Sequence, residues 1–391
     1  MLKYSDFIRA HRNDDVRELA LRQSLYSDVD IRYVAEQIAA WQMARKKLPS
    51  WAEKDDIIYP AHLSMEQCSS QMTAEYKAGI ISEGETMTDL TAGFGVDATI
   101  IGRKFKKLIY VEKDESLCKI ANHNLPLMGI KDFEVVNADG VEVLKTLPHQ
   151  SLIYLDPARR DEHGGKTIQI SDCTPDVTQL QDLLLEKADN VLIKLSPMLD
   201  ISNILRELKC VREIHIVSVE NECKEILVKT IAGTPCMEGE TQKCCITCVN
   251  IGKEGTDVYV VPEDERTIDC QYTDEVSGYI YEPNASIMKA KCFKSLARTY
   301  NIYKLHPSSH LYTSCELINN FPGRTFKVES IYSLKDKELK NIKKANLTIR
   351  NFPSTVAELR KRLKISEGGS DYLFATTLAD ESKVIIKTRK G

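Results

Sequence analysis

The chain has 391 residues, enough for two to three domains, and its 42% apolar and 28% charged residues are typical of a globular protein. It contains no apolar run near the ~20 residues of a membrane span and no signal-peptide core, and its twelve irregularly spaced cysteines favour a reducing cytoplasm over a disulfide scaffold. The net charge of −4 hides a basic C-terminal part, since residues 285–391 carry 21 Lys and Arg against 9 Asp and Glu, which indicates either a nucleic-acid-binding appendage or a solvated lysine-rich surface.

The first elements are helical. Residues 14–47 have apolar side chains at roughly helical spacing, and basic residues in the last turn are followed by Leu48-Pro49, which predicts the end of the helix. We therefore expect an N-terminal helical domain over residues 1–62. Residues 63–81 then predict one or two further helices before a turn at Glu83-Gly84.

Strands and helices alternate in the next part of the chain. Short apolar strands are predicted within residues 86–93, 107–114, 133–140, 151–157, 190–197 and 211–220, with helices between the first five of them. Repeated strand–helix units of this kind indicate an α/β fold, a doubly wound Rossmann-like parallel sheet. From about residue 251 the pattern changes to short elements of mixed α+β type, over residues 256–323 and 324–391.

Acidic residues mark the predicted strand ends. Gly93 and Gly95 after the first strand allow a tight turn before a helix N-terminus, and Glu112 after the second can accept both ribose hydroxyls, which fits NAD as well as other nucleosides. Asp89 lies just before the turn. A carboxylate at this position cannot stabilise a bound phosphate, but it can stabilise a bound ammonium or sulfonium group. With Asp139 and Asp156 at the next two strand ends, the pattern favours a cationic cofactor over a pyrophosphate.

Residues 65–250, with these acidic residues at successive strand ends, resemble the class I S-adenosylmethionine-dependent methyltransferases. The resemblance implies that the Asp89/Gly93/Gly95 turn holds the methionine part of S-adenosylmethionine, Glu112 the ribose and Asp139 the adenine, while the fourth strand faces the substrate. The predicted cofactor-binding set comprises Asp89, Thr91, Gly93, Phe94, Gly95, Glu112, Lys113, Asp139 and Gly140.

Further segments resemble one bacterial group of these enzymes. They are "EQCSSQMTAEYKA", "LDPARRD", "VLIKLSP" and "VSVENECKEIL", together with "FPGRTF", "IRNFP" and "GGSDYLFATT", which resemble a THUMP-like domain. The resemblance implies a methyltransferase domain over residues 63–255, a ferredoxin-like connecting domain over 256–323 and a THUMP-like domain over 324–391. THUMP domains in general bind structured RNA, so RNA is the implied partner.

The substrate side is predicted at Asp156-Pro157. Relatives that methylate amino nitrogens carry a second Pro and an aromatic residue after this pair, whereas this chain has Ala158 and Arg159. The stacking ring is missing unless Phe94 or another aromatic replaces it. Arg159 and Arg160 are predicted to hold a phosphate or stack on a base, or alternatively to form a surface pair with neighbouring acids. Lys194 and Ser196, at the end of the fifth strand, are predicted to contact the substrate.

The expected function is methyl transfer from S-adenosylmethionine to an rRNA or tRNA base, with Asp156 and Pro157 as the catalytic pair. The alternatives are a methyltransferase acting on a small molecule or protein, and a non-catalytic RNA-binding protein. We expect no metal, because Cys244, Cys245 and Cys248 lack a partner pair and alternate like a buried strand, and because Pro307 argues against a helix carrying His306 and His310. The sequence predicts no oligomeric state.

Overall fold

A computed structural model of the chain describes residues 4–21, 25–26, 28–159, 169–233 and 244–390, with residue 159 described for its backbone alone. The chain divides into two compact units. The first comprises residues 1–214 and 225–244, and the second residues 215–224 and 245–391. Within the described ranges, every helix is too short or too polar to cross a bilayer.

Helices make up the first part of the first unit. They are α1 (Ser5–His11), α2 (Val16–Leu21), α3 (Ile31–Lys47), α4 (Pro49–Ala52), α5 (His62–Gln67) and α6 (Gln71–Gly79). The stretch predicted as helical over 14–47 is interrupted, because Asp30 caps α3 by accepting a hydrogen bond from the Tyr33 N–H at 3.1 Å. Helix α3 ends where the sequence predicts, with Lys47 in its last turn and Pro49 at the start of α4.

These helices share a core with the part of the chain that follows. Trp51 and Tyr59 are buried in one cluster with Phe94, Ile100 and Ile120, which belong to the strand–helix units. We predicted a separate helical domain over residues 1–62. In the structure the shared core makes these helices part of the first unit, since separating them would expose its apolar side chains to water.

Strands and helices then alternate. The elements are β1 (Gly84–Asp89), α7 (Val96–Gly102), β2 (Phe105–Glu112), α8 (Glu115–Leu127), β3 (Phe133–Asn137), α9 (Gly140–Thr146), β4 (Gln150–Leu155), β5 (Ala158–Arg159), β6 (Cys173–Thr174), α10 (Val177–Lys187), β7 (Ala188–Leu195), α11 (Ile201–Glu207), β8 (Val211–Val219) and β9 (Glu222–Ile231), with a 3₁₀ turn at Ile170–Asp172.

The main sheet has the strand order β3-β2-β1-β4-β7-β9-β8 in this region. The first five strands of that order are parallel, and β9 runs antiparallel to β7. The central strand β4 is buried on both faces, because residues 152–155 are each at most 1% exposed. This burial accounts for the continuous apolar run in its sequence. The predicted Rossmann-like α/β class is confirmed.

The strand β9 and the helix α11 were not predicted, nor were the short elements β5, β6 and the 3₁₀ turn. Strand β9 returns from β8 through a tight turn at Glu220 and Asn221, which both have positive φ. Its sequence begins with polar residues, which conceal the buried strand that follows. Helix α11 is short, and its start is marked by Asp200, whose carboxylate accepts from the Ser202 N–H at 2.8 Å.

The second unit contains the remaining elements. They are β10 (Cys245–Ile251), β11 (Thr256–Val261), β12 (Tyr279–Pro283), α12 (Ala285–Ala290), α13 (Phe293–Tyr300), β13 (Tyr303–Lys304), β14 (Tyr312–Ser314), β15 (Gly323–Ser333), β16 (Asn346–Arg350), α14 (Val356–Leu363), β17 (Asp371–Thr377) and β18 (Lys383–Lys390), with a 3₁₀ turn at Glu338–Asn341. Strands β10 and β11 form an antiparallel hairpin.

One continuous sheet runs through most of this unit, in the order β13-β14-β12-β15-β18-β17-β16. The long strand β15 pairs with β12 on one side and with β18 on the other. The carboxylate of Glu282, 2% exposed, accepts from the guanidinium groups of Arg324 and of Arg350, the latter at 2.7 Å. The predicted boundary between residues 323 and 324 therefore lies at the start of β15, within one sheet.

Candidate active site

The carboxyl ends of the parallel strands bring most of the predicted residues to one edge of the sheet. In the order β2-β1-β4-β7, the strands end at Glu112, Asp89, Leu155 and Leu195. Asp156 directly follows the last residue of β4, and Lys194 is the second-to-last residue of β7. This edge is where open α/β sheets bind their ligands.

The loop after β1 is a glycine turn held by strand β2. Gly93 has φ +56° and Gly95 φ +84°, and a Cβ atom on Gly95 would lie 3.0 Å from the Tyr110 ring. The Gly93 N–H donates to Glu112 Oε2 at 3.0 Å, and the Tyr110 hydroxyl donates to the Gly93 carbonyl oxygen. The turn is therefore preformed, and only glycine fits at position 95.

Asp89 is a buried carboxylate at this edge, with 1% of its surface exposed. Its Oδ1 accepts from the Thr91 N–H at 3.0 Å. Burial raises the pKa of Asp89 well above its usual range; the Thr91 bond opposes this rise, and the nearby Asp97 and Asp156 add to it. A bound cation would relieve this cost, so the position fits a sulfonium or ammonium ligand.

The residues predicted to contact the nucleoside lie at the end of β2 and the start of α9. Glu112 Oε1 accepts from the Asp114 N–H at 2.9 Å, which leaves further lone pairs on both oxygens of this carboxylate. Asp139 caps α9, accepting from the Val141 N–H at 2.8 Å, and its side chain is exposed. A Cβ atom on Gly140 would lie 2.2 Å from the Leu90 carbonyl oxygen, so glycine lets α9 approach the turn. Lys113 is exposed.

Asp156 is fixed from two sides. Its N–H donates to Thr91 Oγ1 at 2.7 Å, which joins the ends of β1 and β4. Its Oδ2 is paired with the ammonium group of Lys194. The Asp156 side chain is 36% exposed and that of Lys194 only 15%, while Pro157 is buried. The structure thus places a carboxylate–ammonium pair at the predicted substrate side.

The other predicted substrate residues are less fully defined. The backbone of Arg159 lies in β5, which pairs with β6, and Arg160 lies outside the described residues. Ser196 is half-buried, and its Oγ accepts from the Met198 N–H at 3.3 Å. Phe94 is 4% exposed and packs 4.8 Å from Trp51, between ring centroids. It supports the turn from inside and does not offer a free stacking face.

A buried ionic network that the sequence did not predict lies beneath this edge. Lys77 Nζ, in α6, donates to Asp97 Oδ1 at 3.1 Å, to Glu225 Oε2 at 2.9 Å and to Ser69 Oγ at 3.1 Å. Asp97 Oδ2 accepts from Ser69 Oγ at 2.6 Å and from the Tyr154 hydroxyl at 2.8 Å. Lys77 is fully buried. Ser69, Lys77 and Glu225 lie in "EQCSSQMTAEYKA" and "VSVENECKEIL", so polar residues in those segments were the available signal.

The two carboxylates of this network respond differently to burial. Burial raises the pKa of Glu225, and its Oε1 has no hydrogen-bond partner among the described residues. For Asp97 burial acts in the same direction, but Lys77, Lys194 and two hydroxyl donors outweigh it and lower the pKa of this group. The pKa of Lys194 is raised, because Asp156, Asp97 and Glu225 together outweigh the lowering effect of its burial. Lys194 is therefore a cation at neutral pH.

Comparison with known proteins extends over the whole chain. The crystal structure of a candidate methyltransferase from Porphyromonas gingivalis W83 is 35% identical in sequence with a TM-score of 0.89, and the match covers 100% of this chain and 98% of that chain. Family profiles described as a ferredoxin-like domain and as THUMP domain-like match residues 279–322 and 323–390. The chain belongs to the class I S-adenosylmethionine-dependent methyltransferases with a THUMP-like domain.

Other comparisons add less about this methyltransferase. The structure of M. capricolum TrmK in complex with S-adenosyl-homocysteine is 11% identical in sequence with a TM-score of 0.34, and the match covers 43% of this chain and 71% of that chain. This likeness is too low to support an argument. No curated protein sequence matches the chain.

The Cys and His side chains that were weighed as metal ligands do not cluster into a metal site in the described part of this methyltransferase. Cys248 is buried in β10 as the alternation predicts, whereas Cys245 is exposed and Cys244 half-buried. His306 lies 3.2 Å from Glu381 Oε1, and His310 stacks on Phe293 at 3.7 Å between ring centroids. Among the described residues, no group of three His, Cys, Asp or Glu side chains could hold a metal ion.

Proposed function

We propose that this methyltransferase transfers the methyl group of S-adenosylmethionine to RNA. The observation that carries the cofactor assignment is the buried carboxylate of Asp89, which lies beside the preformed glycine turn, accepts from the Thr91 N–H and has no cationic partner among the described residues. A sulfonium supplies the positive charge that Asp89 lacks, whereas a pyrophosphate would add negative charge beside it. Glu112 is proposed to accept the ribose hydroxyls, and Asp139, through the carboxylate oxygen that does not cap α9, the adenine amine.

Bound S-adenosylmethionine supplies an electrophilic methyl group, and the side chains of this chain orient both reactants. Thr91 holds the backbone of Asp156 against the turn, so the acceptor side and the cofactor side share one rigid connection. Pro157 is buried and, because it has no N–H, donates no backbone hydrogen bond at this edge. The proposed roles of Arg159 and Arg160 in substrate binding stay predictions.

The RNA assignment is supported by a basic face on the second unit. The 3₁₀ turn at Glu338–Asn341 and helix α14 both bury leucines in one cluster, Leu339 in the first and Leu359 in the second, so they lie on the same side of the sheet. Their outward residues include exposed cations, which we call the basic face: Lys337, Lys340, Lys343, Lys361, Arg362 and Lys364. Clustered Lys and Arg are the usual contacts to a phosphate backbone.

The alternatives are less well supported. A small-molecule or protein acceptor gives no role to the basic face, and a non-catalytic RNA-binding protein gives none to the Asp89, Glu112 and Asp156 set. The direct test is transfer of labelled methyl groups to total RNA from a strain that lacks the gene. Incorporation into RNA is the expected result, and incorporation into protein or small metabolites alone would overturn the proposal. A cytoplasmic location remains a prediction.

Glu112→Ala is expected to weaken S-adenosylmethionine binding by about 30- to 150-fold, since two charge-assisted hydrogen bonds to the ribose contribute roughly 2–3 kcal/mol. Glu112→Gln keeps one oxygen that can accept from the Gly93 N–H, so its loss should be smaller. Isothermal calorimetry measures both. Glu115→Ala, at an exposed position just beyond the strand, is the matched control. Unchanged affinity in Glu112→Ala, or tight NAD binding by the wild type, would contradict the assignment.

Neutralising four cations of the basic face is expected to reduce the salt dependence of RNA binding. In a variant with Lys340, Lys343, Lys361 and Arg362 each changed to Gln, the slope of log K against log salt should fall by about 3, at roughly 0.7–0.9 per lost phosphate contact. Fluorescence anisotropy with unfractionated transfer RNA measures the slope. Substitution is preferable to deleting residues 324–391, because β15 pairs with β12 and deletion would break the sheet.

The control for this experiment removes the same charge elsewhere. Lys106, Lys119, Lys145 and Lys209 are exposed lysines of the first unit, each with more than half of its side chain accessible. Changing all four to Gln leaves the basic face intact and should alter the slope by less than 1. Equal slopes in the two variants would favour a general charge effect over a specific RNA-binding face.

A further inference from the structure

The pair formed by Asp156 and Lys194 bears on the chemical nature of the methyl acceptor. It lies at the carboxyl edge of the sheet, next to the end of β1, where the acceptor must meet the methyl group. The Lys194 side chain is only 15% exposed, and its ammonium group is paired with the Asp156 carboxylate. Burial lowers the pKa of Lys194, but this ion pair and the charges of Asp97 and Glu225 outweigh that effect and keep the group protonated.

A fixed cation at this place discriminates between acceptors. An amino nitrogen that attacks a methyl carbon becomes positively charged as the bond forms, so a neighbouring ammonium group opposes the reaction. A hydroxyl oxygen releases its proton and gains negative character on the way, so the same ammonium group stabilises it. An ammonium group that donates to the acceptor therefore favours an oxygen over an amino nitrogen.

The residues after Asp156 agree with this conclusion. A base held for methylation at an amino group is normally stacked on an aromatic ring, but the chain continues with Pro157, Ala158 and Arg159. Phe94, the aromatic residue nearest in the turn, is buried against Trp51 and cannot supply the ring. A ribose hydroxyl needs no stacking partner, because it is reached from the backbone side of the nucleotide.

We propose that the acceptor is a ribose 2′-hydroxyl of RNA, with Asp156 and Lys194 as its catalytic contacts. The proposal rests on the proposed RNA methyl transfer. Within RNA, the 2′-hydroxyl is the sugar hydroxyl left free at internal nucleotides. It replaces the base that the sequence predicts as the site of methylation.

The reaction balances with these groups. The hydroxyl oxygen forms a bond to the methyl carbon with one of its lone pairs, and the carbon–sulfur bond breaks with its electron pair left on sulfur. The hydroxyl proton passes to Asp156 Oδ1, the oxygen that is not paired with Lys194, and from there to water. Lys194 donates a hydrogen bond to the acceptor oxygen and keeps its proton throughout. Lys77, Asp97 and Glu225 take no part in these steps; their hydrogen bonds join α6, α7 and β9 beneath this edge.

The deciding experiment locates the methyl group. Total RNA from a strain lacking the gene is treated with the full-length protein and labelled S-adenosylmethionine, digested to nucleosides and analysed by mass spectrometry. The expected result is that the label stays with the ribose fragment. Label on the base overturns the hydroxyl assignment while leaving RNA methylation intact. Absence of label from RNA overturns both proposals.

Variants of Lys194 test its role separately from the location of the methyl group. Lys194→Met should lower single-turnover methyl transfer by about 10²-fold or more, in the range of lost electrostatic stabilisation of a developing oxyanion. Lys194→Arg keeps the charge and should retain more activity than Lys194→Met. Equal activity in Lys194→Met and wild type would overturn the assignment.

Binding and a matched lysine provide the controls. Calorimetry with S-adenosylhomocysteine should give affinities within about threefold for wild type and Lys194→Met, because the lysine acts on the acceptor. Lys229 is paired with Glu213 at 3.2 Å and is 14% exposed, close to the 15% of Lys194. Lys229→Met should leave turnover unchanged. A loss of activity as large as that in Lys194→Met would assign the effect to folding and overturn the catalytic role.

Discussion

Asp156→Asn is expected to lower methyl-transfer turnover by roughly 10²- to 10⁴-fold, the usual range for a positioned acid–base group. Asparagine keeps the shape of the side chain, and its backbone N–H still donates to Thr91 Oγ1. It cannot take up the acceptor's proton, and it leaves the Lys194 ammonium group without its nearest counter-charge. Single-turnover transfer to RNA from the deletion strain measures the effect.

The comparison with cofactor affinity decides how this loss is interpreted. S-adenosylhomocysteine, which carries no sulfonium charge, should bind Asp156→Asn about as well as wild type. Asp189→Asn is a suitable control, because Asp189 is an exposed residue of the adjacent strand β7 whose carboxylate pairs with His149 at 3.0 Å. Near wild-type turnover in Asp156→Asn would show that another group accepts the proton. If S-adenosylhomocysteine affinity and turnover fall equally, the role of Asp156 is to bind the cofactor and not to orient the acceptor.

The edge of the sheet could be predicted because its signals are local. A buried parallel strand reads as an apolar run, and the residue that follows it must lie at the carboxyl edge, so Asp89, Glu112 and Asp156 were predictable positions. The same reasoning is ambiguous for Asp139. An Asp before a helix is also the preferred N-cap, and in the structure this carboxylate does cap α9. Sequence position alone does not separate the two roles.

The network beneath the edge could not be predicted, because its members come from distant parts of the chain. Lys77 and Glu225 are 148 residues apart, and Glu225 lies in β9, whose polar start concealed the strand. A lysine in an amphipathic helix is ordinarily exposed, and full burial occurs only where carboxylates meet it. Such a meeting depends on the strand order, which inserts β9 beside β7, and no local pattern specifies it.

The domain boundaries show a similar limit. The change of composition near residue 251 marks the strand-rich part, and the family profiles meet between residues 322 and 323. In the structure β15 begins at that point and pairs on both sides, so the two profiles describe parts of one sheet. Glu282 reinforces the junction by pairing with Arg324 and Arg350. Sequence families can thus divide what hydrogen bonding and burial hold together.

Lys77→Met is expected to lower the free energy of unfolding of the first unit by about 3–5 kcal/mol, the usual cost of removing one partner from a buried ionic cluster. Methionine replaces most of the lysine stem but carries no charge, so it leaves Asp97 and Glu225 buried without their shared counter-ion. Urea unfolding measures the loss. Both tryptophans, Trp41 and Trp51, lie in the first unit, so their fluorescence reports on it alone.

A second variant separates lost charge compensation from lost packing. Combining Lys77→Met with Asp97→Asn and Glu225→Gln removes all three charges and should recover much of the stability, because the main cost of the single change is an uncompensated buried carboxylate. Lys107→Met, which breaks the exposed pair with Glu134 at 2.9 Å, should cost no more than about 1 kcal/mol. If the triple variant is as unstable as Lys77→Met, the loss comes from packing around the lysine stem. In that case charge compensation is not what makes the network beneath the carboxyl edge of the sheet stabilising.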